Sequence, residues 1–402
     1  MKKVSLPPGI KDYTPEIVNK FEYINDIFFQ EAESWGFNKI YTPLIENIDS
    51  LVSDSRDIDN KNILKLIDPT TGGILGIKSD VTPQIARFIT SNYSSSELPI
   101  RLSYAERVIR NKLNIQTDSR EVFQLGCESI GTDGIFNDIE IIQLASSLLK
   151  KMGFTEQVIT LSSSLVVNFI LSRLKVSGDE IKNLFYKKNF SDIIKISQDN
   201  SFPKGERSFI KSFVIPFTKN KIPNSKLINS DIKKEVNNLQ TIKNNLIQIN
   251  SEVKCEIDYL DVKDFNYYSN ITFQINSPVA KSPLINGGRY NNLFNDYEMS
   301  IPAIGFGLDL LSVVKNIKID DSLQPKAIII INSENNMAEF FKIRDFLANQ
   351  GFIVSFSKNK SRNQTGQIVI KLDKNKQVFL FDGEMNRIAK FKSISEFIEE
   401  EI

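Results

Sequence analysis

The sequence predicts an α+β protein of two or three domains, and three observations carry that expectation. Its 402 residues exceed what one hydrophobic core usually organises. Two strand-like runs, 101–108 and 120–131, flank a polar connection at 111–119 as a hairpin would, with helical spacing before and after them. Residues from about 167 to 250 turn Lys-, Asn- and Ser-rich with helix-length apolar spacing, and strand patterning resumes beyond them.

Thr14 to Trp35 sets Ile17, Val18, Phe21, Ile24, Ile27, Phe28 and Ala32 at spacings near three and four, an amphipathic helix that Gly36 stops. Residues 37–46 alternate and are rich in β-formers until Pro43, which predicts a strand with an interrupted edge. A hairpin follows, 63–67 and 74–77, turning at Asp68-Pro69-Thr70-Thr71-Gly72-Gly73. Thr82 to Ser91 is helical, with Pro83 tolerated in its first turn. After the 101–131 hairpin, Asp138 to Met152 is a helix ended by Gly153. The expected boundaries are a core over 1–166, a mostly helical insertion over 167–252, and the core resumed over 253–320. That second part holds strands at 255–260 and 270–275, a tight glycine turn at Gly287-Gly288, and a helix from about Leu308 to Val314. Asp320 to Pro325 reads as a linker, and 326–402 as a small α/β domain with strands at 327–331, 352–356, 368–372 and 378–381 and a helix at 336–350.

Composition narrows the chemistry. Fifty Lys plus Arg against 49 Asp plus Glu leave no global positive field for nucleic acid. No apolar run approaches the roughly 20 residues that cross a bilayer, and the opening Met1-Lys2-Lys3-Val4-Ser5 has no apolar stretch behind it, so a cytoplasmic location is expected. Cys127 and Cys255 stand far apart without CxxC spacing, which argues against a disulfide framework and a zinc site, and no cofactor or metal is expected. The chain contains no histidine. That absence removes Ser-His and Cys-His nucleophile pairs and the side chain best suited to proton transfer near neutral pH.

Two polar patterns remain. In Gln124-Leu125-Gly126-Cys127-Glu128 a strand's period of two sets Gln124, Gly126 and Glu128 on one face. An amide, a bare backbone position and a carboxylate there suit a small molecule bearing an ammonium group. A solvated strand face has the same pattern. The second pattern joins Asn266-Tyr267-Tyr268 with Gly287-Gly288-Arg289-Tyr290, aromatic hydroxyls beside bare backbone. An ordinary turn with core aromatics has it too, so spacing alone reaches no further than a polar small-molecule pocket.

Taken in order, these segments resemble the class II aminoacyl-tRNA synthetase core, and specifically its histidyl branch. Arg101-Leu102-Ser103-Tyr104 through Arg110, then Ser119 to Gly131, is similar to motif 2 of that family. Residues 36–46 resemble its dimer-forming motif 1, Leu6-Pro7-Pro8-Gly9-Ile10-Lys11-Asp12-Tyr13 its opening segment, and Asn286 to Phe306 the approach to motif 3. The resemblance covers about 1–318 apart from the insertion and implies an antiparallel sheet flanked by helices. It also implies an amino-acid pocket formed by Asp80, Thr82, Arg110, Gln124, Glu128, Lys263, Tyr267, Tyr268 and Tyr290.

The departures point away from catalysis. In the synthetases a glutamate follows the motif 2 arginine by two residues, and here Lys112 stands in that place after Arg110. A further loop arginine falls on Asp118, which would repel a triphosphate. The histidine-specific stretch, Arg-Gly-Leu-Asp-Tyr-Tyr in the family, is here Lys263-Asp264-Phe265-Asn266-Tyr267-Tyr268, and a lysine replaces a bidentate guanidinium poorly. The motif 3 arginine aligns with Ser312. Adenylate formation needs preorganised cations on the reacting phosphates, and these changes remove most of them. Lys78-Ser79-Asp80-Val81-Thr82-Pro83-Gln84-Ile85-Ala86-Arg87 resembles the version in regulatory subunits of ATP phosphoribosyltransferase, paralogues of the synthetases. The resemblance therefore implies a non-catalytic regulatory subunit that dimerises through its core. Its implied partners are a short catalytic ATP phosphoribosyltransferase subunit and histidine as allosteric ligand. The 77 residues after Pro325 are shorter than a synthetase's anticodon-binding domain and show no obvious basic stripe. An active histidyl-tRNA synthetase and a tRNA-binding protein without catalysis are the rival readings.

Overall fold

The structure is a computed structural model that describes residues 5–51, 62–114, 118–176, 178–219, 221–223, 229–262, 267–317, 327–332, 337–357, 368–373, 375, 377–381 and 386–400. The expected linker Asp320 to Pro325 lies outside the described residues. The chain divides into two compact units, Met1–Ile317 and Lys318–Ile402.

The first unit opens with α1 (Pro15–Ser34), β1 (Asn38–Lys39), β2 (Ile45–Asn47), α2 (Ile48–Leu51), the hairpin β3 (Leu64–Ile67) and β4 (Ile74–Ile77), and α3 (Thr82–Asn92). The long pair β5 (Ile100–Asn114) and β6 (Ser119–Ile130) follows, then α4 (Ile135–Lys151) and β7 (Val158–Ser163). Six helices come next: α5 (Ser164–Ser172), α6 (Gly178–Tyr186), α7 (Phe190–Ile196), α8 (Lys204–Phe209), α9 (Ile215–Thr218) and α10 (Ser230–Ile249). The chain then returns through β8 (Lys254–Ile257), β9 (Ile271–Asn276), β10 (Ile285–Arg289), β11 (Ala303–Asp309) and α11 (Leu310–Asn316).

Eight strands form one sheet in the order β1-β5-β6-β11-β10-β9-β7-β8, antiparallel except for the parallel edge pairs β1·β5 and β7·β8. Strand alternation sorts its two faces. Phe123, Leu125 and Cys127 of β6 join the core that α1, α4, α10 and α11 cover, whereas Val122 and Ile130 join a second core with Tyr104, Tyr267, Tyr268 and Tyr290. Covering both faces explains why β6 is almost wholly buried and why its Gln124-Gly126-Glu128 row is not a solvated face. The amphipathic reading of α1 holds. Phe21, Ile24, Phe28 and Ala32 are buried along one stripe, Pro15 sits in the first turn, and Gly36 beyond the end takes a φ of +81°.

Three local expectations need correction. Residues 37–46 do not form one interrupted strand. After β1 has paired with β5, Pro43 breaks the run and β2 enters a separate three-stranded sheet, β2-β4-β3. Gly287 and Gly288 lie inside β10, not in a turn, and neither has a positive φ. A Cβ at Gly287 would stand 2.4 Å from the Phe273 ring and one at Gly288 2.7 Å from the Ile271 carbonyl, so close approach is what requires glycine there. Residues 308–309 complete β11, and the helix begins at Leu310, where the Asp309 side chain accepts from the Leu311 amide (3.1 Å) as an N-cap.

The second unit holds β12 (Ala327–Asn332), α12 (Met337–Asn349), β13 (Ile353–Ser357), β14 (Ile368–Leu372), β15 (Val378–Phe381), β16 (Arg387–Phe391) and α13 (Ile394–Glu400). Its five strands run in the order β13-β12-β14-β15-β16. Ile370, Leu372, Val378, Leu380 and Phe391 pack with Ile343 and Leu347 of α12 and Phe397 of α13. The last strand and helix, unforeseen in the sequence, lie in a polar stretch where, among the described residues, only Phe391 and Phe397 are fully buried large apolar residues.

Candidate functional site

On the sheet face away from α4 and α10, cross-strand register sets Tyr104 of β5 opposite Gly126 of β6, and Gly305 of β11 opposite Glu128. A Cβ at Gly126 would lie 2.3 Å from the Tyr104 hydroxyl, and one at Gly305 would lie 1.7 Å from Glu128 Oε2. The bare backbone at these positions is therefore filled by neighbouring polar side chains.

Asp80 follows β4 and Thr82 opens α3. The Thr82 hydroxyl donates to Glu128 Oε1 (2.9 Å), and the Tyr104 hydroxyl approaches the same oxygen at 3.3 Å. Asp80 accepts three hydrogen bonds: from Gln124 Nε2 (2.7 Å) and the Val81 amide (2.9 Å) on Oδ1, and from the Tyr267 hydroxyl (2.7 Å) on Oδ2. Because Asp80 takes the Gln124 amide nitrogen, the Gln124 carbonyl oxygen faces elsewhere. Gln124 Oε1 is buried without a hydrogen-bond partner, and the buried Tyr290 hydroxyl bears on the Glu128 carboxyl. Leaving such an oxygen unsatisfied costs on the order of 1–3 kcal/mol. The Gln124 oxygen and the Glu128 carboxyl are acceptors of the kind that the N–H donors of an ammonium group require.

The electrostatics agree. Burial, helped by the negative charge of Asp80, pushes the Glu128 carboxyl up to about 8. Burial likewise raises the Tyr104, Tyr267 and Tyr290 hydroxyls well above the usual tyrosine range. The pocket thus carries an acid that a cationic guest would ionise.

Seven of the nine sequence-predicted residues meet here: Asp80, Thr82, Gln124, Glu128, Tyr267, Tyr268 and Tyr290. Tyr268 packs its ring on Gly288, where a Cβ would stand 2.8 Å from Cδ1, and its centroid lies 4.9 Å from that of Tyr267. Arg110 sits at the pocket's margin, its Nε donating to the Ser79 carbonyl (3.2 Å). Lys263 lies outside the described residues. Sequence reasoning missed Tyr104 and Gly305 as pocket-forming positions. Both are identified by cross-strand register, which no single segment displays.

Asp309, in the field of Arg110, caps the start of α11. Ser312 donates to Asp309 Oδ2 (3.1 Å), and burial holds the Asp309 carboxyl above its usual range. Asp118, expected to repel phosphates, is exposed with a φ of +50° and pairs with Lys11 (3.0 Å).

A further buried pair borders the pocket. Lys78 meets Glu106, Thr42 donates to Glu106 through its amide (2.6 Å) and hydroxyl (2.8 Å), and Gln84 and Arg87 hold Glu46 at 3.1 and 2.8 Å. Burial lowers the Lys78 ammonium to about 8, with Glu46 opposing. No group of three or more His, Cys, Asp or Glu side chains among the described residues could hold a metal ion. No helix among them is long and apolar enough to cross a membrane.

With this geometry in place, the comparisons become informative. The model of the family described as histidyl-tRNA synthetase matches residues 9–313. Among curated proteins, the ATP phosphoribosyltransferase regulatory subunit of Geobacter metallireducens is 27% identical over 358 residues, covering 86% of this chain and 82% of the relative. That of Halothermothrix orenii is 29% identical over 315 residues, covering 76% and 74%. Among solved structures, an ATP phosphoribosyltransferase regulatory subunit/histidyl-tRNA synthetase from Bacillus halodurans superposes with a TM-score of 0.73 at 22% identity, covering 89% of this chain and 93% of that one. A histidyl-tRNA synthetase from Nostoc sp. superposes at 0.75 and 15% identity, covering 100% of both chains. At such identities the structures share the fold.

Proposed function

The chain belongs to the histidyl-tRNA synthetase family, and from that premise we propose that it is a cytoplasmic, non-catalytic regulatory subunit of ATP phosphoribosyltransferase. In this reading it activates a short catalytic subunit in the first step of histidine biosynthesis and confers feedback inhibition by histidine. The names of its curated relatives support the assignment. The observation that carries it is a contrast within one cleft. Gln124 keeps an unsatisfied buried oxygen beside the buried Glu128 carboxyl, a pair suited to an amino acid's ammonium or a protonated ring, while Ser312 stands where the synthetases' motif 3 carries an arginine. A serine there supplies no charge to a triphosphate, whose transition state needs cations.

An apolar surface supports self-association through the core. Tyr41 is 77% exposed, with Leu44 and Ile45 nearby in sequence, and Ile67 and Ile74 face solvent on the β3–β4 hairpin. A dimer would cover this surface, and the catalytic subunit would bind the assembled pair.

Adding the pure chain to a short catalytic subunit tests the function. Phosphoribosyl transfer is expected to rise and to become sensitive to L-histidine. Pyrophosphate exchange with ATP and histidine at synthetase-like rates would instead establish the active-synthetase reading.

A further inference from the structure

One buried hydroxyl on the pocket's floor meets both of its acceptor residues. On β6, Gln124 and Glu128 share a face with Gly126 between them. Across the ladder Tyr104 of β5 pairs with Gly126, and with no side chain there the phenol ring crosses over bare backbone. Tyr104 is fully buried. Its hydroxyl accepts from Gln124 Nε2 (3.4 Å) and donates to Glu128 Oε1 (3.3 Å). Burial raises that hydroxyl well above the usual tyrosine range, so it stays protonated and keeps its hydrogen for the carboxyl.

These two bonds decide which atoms are left for a guest. An amide nitrogen carries two hydrogens, and Gln124 directs one to Asp80 Oδ1 (2.7 Å) and the other to Tyr104. With both placed, the Gln124 carbonyl oxygen remains, buried and without a hydrogen-bond partner. Glu128 Oε1 is held in the same way by two hydroxyls, those of Thr82 (2.9 Å) and Tyr104, while the Tyr290 hydroxyl also bears on the carboxyl. Asp80 grips the amide and Thr82 grips the carboxyl. Tyr104 joins the two, so neither can turn without breaking a bond to the same oxygen.

We propose that Tyr104 is a positioning residue that sets the pocket's preference for a guest bearing an ammonium group, because its hydroxyl holds Gln124 and Glu128 in the orientation that offers acceptors to that group. Without the hydroxyl, one Gln124 hydrogen is buried with no partner, and the amide is free to turn its nitrogen toward the guest. A nitrogen there is a donor facing donors, and it rejects an ammonium. The proposal rests on the pocket reading above and names the residue that gives the pocket its selectivity.

Calorimetry of the full chain with two ligands tests it: L-histidine, and 3-(imidazol-4-yl)propanoate, which keeps the ring and the carboxylate but lacks the ammonium. The wild type is expected to bind L-histidine at least about thirtyfold more tightly than the analogue. In Tyr104→Phe the affinity for L-histidine should fall about tenfold while that for the analogue stays within about threefold, so the preference collapses. Gly126→Ala, whose Cβ would stand 2.3 Å from the Tyr104 hydroxyl, displaces the same group from the opposite strand. It should collapse the preference too, which keeps the test available if Tyr104→Phe does not fold. Equal losses for both ligands overturn the proposal, as they mark Tyr104 as merely structural, and so does an unchanged preference. A wild type that binds the analogue as tightly as L-histidine overturns it while leaving the pocket intact. Absence of binding of either ligand to the wild type overturns the pocket reading and the proposal with it.

Discussion

The Tyr267 hydroxyl donates to Asp80 Oδ2 at 2.7 Å across 187 residues of chain. This bond ties the end of β4 to the segment entering β9, so the two halves of the core that flank the helical segment close on the same carboxylate. Asp80 in turn orients Gln124 (2.7 Å) and fixes which end of that amide faces the pocket.

Tyr267→Phe removes the donor and leaves Asp80 Oδ2 buried without this partner. A hydrogen bond to a charged group contributes about 1.5–3 kcal/mol. Histidine affinity is expected to weaken by roughly tenfold as the Gln124 amide loses its fixed orientation. Calorimetry reads the loss, and unchanged circular dichroism would show that the fold persists. An unaltered Kd would place Asp80 outside ligand recognition.

Gly305→Ala tests how closely the sheet accommodates Glu128. The added Cβ would stand 1.7 Å from Glu128 Oε2 and 2.6 Å from the Cys127 carbonyl, so the carboxylate must leave its place. Overpacking of this kind costs typically about 1–3 kcal/mol. A lower melting temperature together with lost histidine binding is expected. Gly307→Ala is the control, as its nearest contact, Gln124 Nε2, is 3.1 Å away. Equal effects in the two variants would argue against a special role for Gly305.

How far the sequence reveals this site depends on the range of each signal. The row Gln124-Gly126-Glu128 follows from period two within one strand. The burial of that row does not, because it needs the knowledge that helices cover one face and Tyr104, Tyr267, Tyr268 and Tyr290 the other. Gly287-Gly288 suggests a turn in the sequence because a glycine pair readily supplies positive φ, whereas here it admits Phe273 and Tyr268. The Lys78–Glu106 pair joins residues 28 apart, at a distance no local spacing rule can register.

That pair carries the next prediction. Lys78 and Glu106 are both almost fully buried, so replacing one strands the charge of the other. Lys78→Met is expected to cost about 3–5 kcal/mol, and adding Glu106→Leu should recover most of it. Denaturant titration of the single and double variants gives the coupling. A double variant as unstable as Lys78→Met would indicate that Thr42, which also donates to Glu106, is the stronger dependent of the carboxylate.

Glu128 makes stability and binding depend on pH with a defined sign. Its folded carboxyl titrates near 8 against 4.5 for the free group. The folded state therefore holds a proton that the unfolded state releases between those values, and stability falls as pH rises through that window. Asp138, pushed up to about 6, acts in the same direction over its lower part. Lys78, lowered from 10.5 to about 8, acts oppositely but above that window. Denaturation of the ligand-free protein at several pH values from 5 to 8 is expected to show declining stability, with a shallower decline in Glu128→Gln. At pH 7 a cationic ligand should drive Glu128 to ionise and expel up to about one proton, because its charge favours the carboxylate. Titrations of L-histidine in buffers of differing ionisation enthalpy measure that release. A wild-type heat independent of buffer would show that Glu128 does not change protonation when histidine binds.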